Sequence, residues 1–167
     1  MNIFVLHADA AQAALPAVDR HVVKMVLETA QILSTALHRH GLEAPYRPSH
    51  KGHPCVVWAG DTAANFGWLV QHGLALGAEY EYRYGRVHGS LPAIQACRRQ
   101  IPLLHLAIAK SGRQDPTEFT DWPQAMPDDS KVPGDAVAAY RRYYNLHKRH
   151  LHRWTKRNVP EWIGVDR

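Results

Sequence analysis

The chain carries only two cysteines, Cys55 and Cys97, among its 167 residues. They share no metal-ligating spacing and are too few for a disulfide framework, so neither a zinc motif nor a stapled mini-fold is readable here. Two thiols suit a reducing cytoplasm, with one disulfide between them as the alternative. Long apolar runs are missing as well, since none reaches the ~18–20 residues that span a bilayer. "MNIFVLHADA" lacks the basic stretch and long apolar segment of a secretory signal. A cytoplasmic protein without a membrane partner is therefore expected. Internal repeats and low-complexity tracts are absent, and nothing marks a boundary, which predicts one domain over 1–167. Hydrophobic residues at 46% can supply a core for a chain of this length.

Acids are missing from one region in particular. Between Ala136 and Pro160 there are seven Arg or Lys residues and no Asp or Glu, within a chain of formal charge +5. A localised positive segment favours a polyanionic partner, whereas a scattered excess says little.

What is present reads as helix. A first helix is predicted from Pro16–Asp19 to just before Gly41, whose glycine suits a C-terminal cap. "EAPYRPSHKGHP" reads as an irregular loop, and Pro54 opens a short helical turn through Trp58. Asp61 is the expected N-cap of a long helix closing at Gly85. Gly67, Gly73 and Gly77 each cost that helix roughly 1 kcal/mol against alanine, so close approach of a neighbour is expected there. Leu91 to Lys110 is helical with a break at Pro102. The proline-rich stretch "SGRQDPTEFTDWPQAMPDDSKVPGD" is expected to wrap the body before Asp135 caps a last helix running to about Arg157. "NIFVL" is either a short strand or an extended arm. The fold class expected is mainly α: a compact helical bundle with an extended N-terminal segment and a long irregular wrap before the last helix.

The first helix poses a chemical question. His21, Lys24, Glu28, Gln31, Thr35 and His38 recur every three or four positions, and nearly everything between them is apolar. At about 100° per residue they form one narrow stripe. One reading is a solvent seam carrying a Lys24–Glu28 pair at i, i+4, worth a few tenths of a kcal/mol. The other is that the seam floors a cleft, where a carboxylate between histidine and lysine can stabilise developing positive charge or move protons.

Lys24, Glu28 and "QIL", followed by "HPCVVWAG" and then a helix ending "EYEYRYG", resemble the pyrimidine-dimer DNA glycosylases, the small phage and bacterial enzymes of the endonuclease V type. The His21-to-Glu28 interval of seven positions also resembles that family's histidine and catalytic glutamate. The resemblance covers roughly residues 1–86. It implies an all-helical DNA glycosylase, without cofactor, in which an amine attacks the sugar C1′, displaces a damaged or modified pyrimidine base and leaves a Schiff base that permits strand cleavage. Glu28 would stabilise the sugar cation and assist proton transfers, and His21 would contact the DNA backbone or orient Glu28. The family's nucleophile is the α-amine of a small residue exposed by methionine removal. Here Asn2 follows Met1, and methionine is usually retained before a residue that large. The candidates are thus the Met1 α-amine, Lys24, or water in a monofunctional enzyme. An α-amine has an ordinary pKa near ~7.7–8.0 and a lysine near ~10.4, a gap of roughly 3.4 kcal/mol favouring the terminal amine.

Further along, "SHKGHPCVVW" sets His50, His53 and Cys55 close together. It reads as a metal site completed by early acids, as a cap on the turn that Pro54 opens, or, as the resemblance implies, as placing His53 at the mouth of the cleft. No metal is the expectation adopted. Arg83 and Arg86 beside Tyr84 suit phosphates next to a stacking ring. On the last helix, Arg141, Arg142, Lys148, Arg149 and Arg153 form either a solvated basic face or a phosphate-binding face. Trp58, Trp68, Tyr84 and Trp122 are candidates to line a nucleotide pocket, because an enzyme acting on a paired base must unstack it. The expected partner is double-stranded DNA. Rival readings are a non-catalytic nucleic-acid-binding protein and a metal-dependent hydrolase.

Overall fold

The computed structural model describes residues 1–164, and its regular elements are all helical. They are α1 (Asp19–Arg39), α2 (Pro54–Asp61), α3 (Ala63–Tyr84), α4 (Leu91–Arg99), α5 (Ile101–Ser111) and α6 (Ala136–His147), with short 3-10 turns at Gln12–Ala14, Asp128–Ser130 and Arg149–Leu151. Among the described residues there is no strand: the apolar run at the N-terminus is an extended arm with Ile3 to Leu6 buried. No helix is long and apolar enough to cross a membrane, among those residues.

α1 is the central element and packs on α2, α3 and α4. Its C-terminus closes as the glycine foretells. Gly41 takes φ 69°, its amide reaches the His38 carbonyl at 3.1 Å, and the Leu42 amide reaches that of Leu37 at 3.1 Å, satisfying carbonyls that would otherwise lack partners. α3 ends on Gly85 in the same left-handed conformation. Two glycines inside α3 are close-approach positions: a Cβ on Gly73 would lie 2.6 Å from Thr29 Cγ2, and one on Gly77 would lie 2.5 Å from Leu91 Cδ1. Gly67 has open space and no such role.

Three boundaries differ from the sequence expectation. Asp61 closes α2 and pairs with Arg39 at 2.8 Å, while Thr62 caps α3 by accepting from the Asn65 amide. The break in the 91–110 region falls at Gln100, with Pro102 in the first turn of α5, where its missing N–H is harmless. α6 stops at His147, ten residues early, where side chains just downstream take its last carbonyls and the following stretch turns to another element. Arg149 Nε donates to the Asn145 carbonyl, His152 Nε2 bonds the Tyr144 carbonyl at 3.2 Å, and the next stretch is tied to the start of α1. There the Asp19 amide donates to the Arg153 carbonyl at 2.9 Å, and Asp19 accepts from the Thr155 amide and hydroxyl, both at 2.8 Å.

The long wrap is anchored by aromatic rings. Trp58, Trp68, Phe119 and Trp122 meet edge-on with centroids 5.1–6.0 Å apart. Trp58 donates to the Thr120 carbonyl and Trp68 to that of Ala8. These tryptophans hold the wrap in place, and Trp122 also borders a small cavity with Asp121, Gln124 and Val137.

Candidate active site at the chain terminus

The polar stripe of α1 is not one surface. His21, Glu28 and Thr35 are buried, whereas the helix's exposed edge runs through Arg20, Val23, Lys24 and Leu27. The N-terminal arm and the loop before α2 cover the buried half; Thr35 Oγ1, for instance, donates to the Ser49 carbonyl and accepts from the Ser49 amide.

Glu28 is only 8% exposed, yet it is not sealed in hydrocarbon. Its Oε2 accepts from the Asn2 amide at 3.1 Å and lies 3.5 Å from the Met1 α-nitrogen. Its Oε1 lies 3.1 Å from Lys24 Nζ. The Met1 side chain is 3% exposed while the residue as a whole is half-buried, so what solvent reaches of Met1 is main chain. Lys24, with a side chain 67% exposed, stands on the open side.

Asn2 sets this geometry. Its Oδ1 accepts from the Ile3 amide at 2.7 Å and the Phe4 amide at 3.3 Å, an asparagine turn of the usual kind, and its Nδ2 donates to the Ala125 carbonyl at 2.8 Å. Phe4 adopts φ 42°, a left-handed conformation that is uncommon for a bulky residue and costs of order 1–3 kcal/mol. The surroundings over-determine it: the Phe4 ring stacks on His21 at 4.0 Å and meets the edges of Tyr140 and Tyr144.

Of the two roles the resemblance implied for His21, contact with the DNA backbone or orientation of Glu28, its burial removes the first, and its hydrogen bond goes to Tyr144 instead of Glu28. It is buried under Phe4, and its Nδ1 lies 2.6 Å from the Tyr144 hydroxyl. Burial first, and then the charges of Lys148 and Lys24, push its pKa down to about 3. A neutral ring accepts at Nδ1 from the Tyr144 O–H, whose own pKa burial raises. His21 positions the arm that lies over it.

Of its three expected roles, His53 shows the capping one. Its Nδ1 accepts from the Cys55 amide at 3.2 Å, capping α2, and the ring is half-buried. Burial lowers its pKa, with the charge of the chain-terminal amine next and Glu28 opposing, so the ring sits within electrostatic reach of both. Among the described residues no three His, Cys, Asp or Glu side chains are grouped to hold a metal ion. Cys55 and Cys97 are free and buried, and burial pushes their thiols up to about 12 and about 11.

Comparison of the chain with protein-family models, curated proteins and solved structures gives no match.

The remaining basic candidates divide. Arg83 cannot hold phosphate: its side chain is 0% exposed and bonded to Glu79 at 2.6 Å and Asp19 at 2.9 Å, with further bonds to the Ala17 and Leu15 carbonyls. Burial raises the Asp19 and Glu79 pKa values, but hydrogen bonds from Thr155 and Arg83 on one, and from Arg157 and Arg83 on the other, outweigh it and hold both below the ordinary range. Arg141 is committed to the Leu6 carbonyl at 3.1 Å and lies 5.5 Å over the Trp162 ring. Arg149 caps α6, and Lys148 sits 4.7 Å over Tyr143. Arg142, Arg86 and Arg153 are exposed. Because α6 ends early, Lys148, Arg149 and Arg153 do not continue one helical face with Arg141 and Arg142. Tyr84 is half-buried against buried Tyr80, with centroids 5.1 Å apart.

The expected cleft wide enough for a sugar and base is not among the best-formed cavities, none of which is lined by Glu28. The arm fills the space beside the carboxylate. A substrate would have to approach from the edge where Lys24 and the Met1 main chain meet solvent.

Proposed function

We propose that this protein is a DNA glycosylase with AP-lyase activity on damaged or modified pyrimidine bases, using Glu28 and the chain-terminal amine. The observation that carries the proposal is the convergence of the Met1 α-nitrogen and Glu28 Oε2 at 3.5 Å, with the carboxylate held nine-tenths out of water. A terminal amine fixed beside a buried acid is the pair of groups that attack at a sugar C1′ requires.

In this mechanism the terminal ammonium first passes a proton to Glu28; the neutral amine nitrogen then bonds to C1′ as the C1′–base bond breaks, and Glu28 relays that proton to the departing base. In this reading the Glu28 carboxylate, once it has given up that proton, stabilises the positive charge growing on the sugar and accepts the next proton that the bonded nitrogen loses. Opening of the sugar ring gives the Schiff base, and loss of the 3′ phosphate by elimination cuts the strand. Lys24, on the other carboxylate oxygen, is the reserve nucleophile. Asn2 contributes robustness: its own nitrogen is 3.1 Å from Glu28 Oε2, so either residue as the mature terminus leaves an amine against the acid. DNA is the partner proposed, with phosphate contacts from the exposed cations Lys24, Arg86, Arg142 and Arg153.

A second reading has its own observation. The arm occupies the space beside Glu28, as expected if the acid merely anchors the terminus of a non-catalytic nucleic-acid-binding protein. Incubation with duplexes containing photodimers, hypermodified pyrimidines or abasic sites separates the two. The glycosylase reading predicts product from the wild type and its loss in Glu28→Gln. No product on any duplex, or equal turnover by both proteins, leaves only the binding reading.

A further inference from the structure

A cavity of about 560 Å³ opens between the first turns of α1 and the segment after α6. Its lining carries the cations Arg20 and Arg153 and the imidazoles His150 and His152, its apolar walls include Val23 and Leu151, and Tyr84 stands at one side. Among the described residues Asp19 is the only carboxylate in this lining, and both its oxygens are engaged. Arg83 Nη1 bonds it from the protein interior at 2.9 Å, Thr155 donates twice at 2.8 Å, and Arg153 Nε approaches no nearer than 3.5 Å. The interior guanidinium offsets the Asp19 charge, which leaves Arg20 and Arg153 as excess positive charge facing the cavity. Arg153 is 83% exposed, and Arg20 is exposed on the same helix edge as Lys24.

We propose that this cavity binds a backbone phosphate of nucleic acid, with Arg20 and Arg153 as the paired cations. A concave site with two exposed guanidiniums, Arg153 reaching Asp19 through Nε at 3.5 Å and Arg20 beside it, and with adjoining apolar and aromatic surface matches a nucleotide unit, a phosphate beside a sugar and base. Its position also fits a strand engaged elsewhere on the same helix. Arg20 and Glu28 are eight residues apart, roughly 12 Å along the axis at 1.5 Å per residue. Duplex DNA advances about 3.4 Å per nucleotide on each strand. A strand following the exposed edge of α1 past Lys24 thus brings a phosphate three or four steps away to the cavity. This register rests on the glycosylase reading; binding of phosphate by the cavity does not.

The test measures affinity for an undamaged duplex against salt concentration, for wild type, Arg20→Gln, Arg153→Gln and the double variant. Each lost phosphate contact reduces the slope of log affinity against log salt by about 0.9. The expected result is a drop of about 0.9 in each single variant and about 1.8 in the double, with melting temperatures held. An unchanged slope in the double variant overturns the proposal. A parallel titration with inorganic phosphate and a mononucleotide separates the sources. Weak binding of both, displaced by duplex, supports a backbone site, whereas tight mononucleotide binding that duplex does not displace overturns it. Neutral methylphosphonate linkages placed singly in a substrate duplex then read the register. If the slopes fall as expected and no base is released from any duplex, the glycosylase reading fails alone.

Discussion

The Met1 α-nitrogen and Glu28 Oε2 lie 3.5 Å apart although 27 positions separate them in the chain. Nothing within α1 creates that relationship. It depends on an arm whose side chains are buried, whose turn is made by Asn2 and whose aromatic residue packs on His21. A carboxylate kept from water by the very segment that carries the amine is the arrangement from which the proposed chemistry follows.

Glu28→Gln should abolish base release and strand cleavage, with a loss of roughly 10²–10⁴-fold expected for removing an acid–base group. The amide keeps the shape of the side chain, so the thermal transition should stay cooperative. Cleavage of abasic-site duplex and a melting curve on the same preparation check both halves.

Asn2→Leu removes the acceptor for two amides and the bond to Ala125, while leaving a large residue behind Met1. Buried groups left unpaired should lower unfolding stability by about 1–3 kcal/mol. Trapping of the amine on abasic DNA should slow by more than this loss of folded protein explains. Trapping kinetics unchanged at a temperature where the variant is fully folded would remove Asn2 from the positioning role.

Glycines in α3 should respond with opposite signs. Gly73→Ala drives a methyl group into Thr29 and Ile94, at 2.6 and 2.8 Å, and should cost about 1–3 kcal/mol. Gly67→Ala meets open space and should gain up to about 1 kcal/mol from helix propensity. Denaturant midpoints of the two variants against wild type decide this.

Acid should destabilise the fold in a definite window. Burial holds the His21 and His72 pKa values at about 3 and about 4, below the ordinary 6.5, so both rings are neutral in the folded chain. Unfolded chain takes up these protons as pH falls through about 6.5 and folded chain does not, so stability drops between about pH 6.5 and 4. The depressed carboxyls of Asp19 and Glu79 lose their contributions lower, below their ordinary 3.8 and 4.5. Melting temperature should be level above neutrality and fall in that window through uptake of at least about two protons, since burial also lowers His53 and His152. His72→Gln should take about one proton out of that uptake.

How much of this the sequence disclosed follows from the range of the interactions involved. Gly41, Gly85, Pro54 and Asp135 act within a few residues of themselves, and their caps and stops were legible. The end of α6 was not, because the stretch after it turns to Asp19, which lies more than a hundred residues upstream. The stripe on α1 was legible as a pattern, but its burial was not: only the arm and Tyr144 make His21 an interior ring. Arg83 reads as a phosphate ligand beside Tyr84 until Glu79 and Asp19 are seen to enclose it. Glu28 could be singled out from spacing. Asn2 had a weak signal in the turn-forming habit of asparagine, and Arg20 had none without the cavity.

The most direct measurement is borohydride reduction of the protein on abasic-site DNA, followed by mass mapping of the linked peptide. The account predicts a covalent adduct on the α-amine of the first residue of the mature chain, absent in Glu28→Gln. An adduct on Lys24, or no adduct with any abasic duplex, would contradict it.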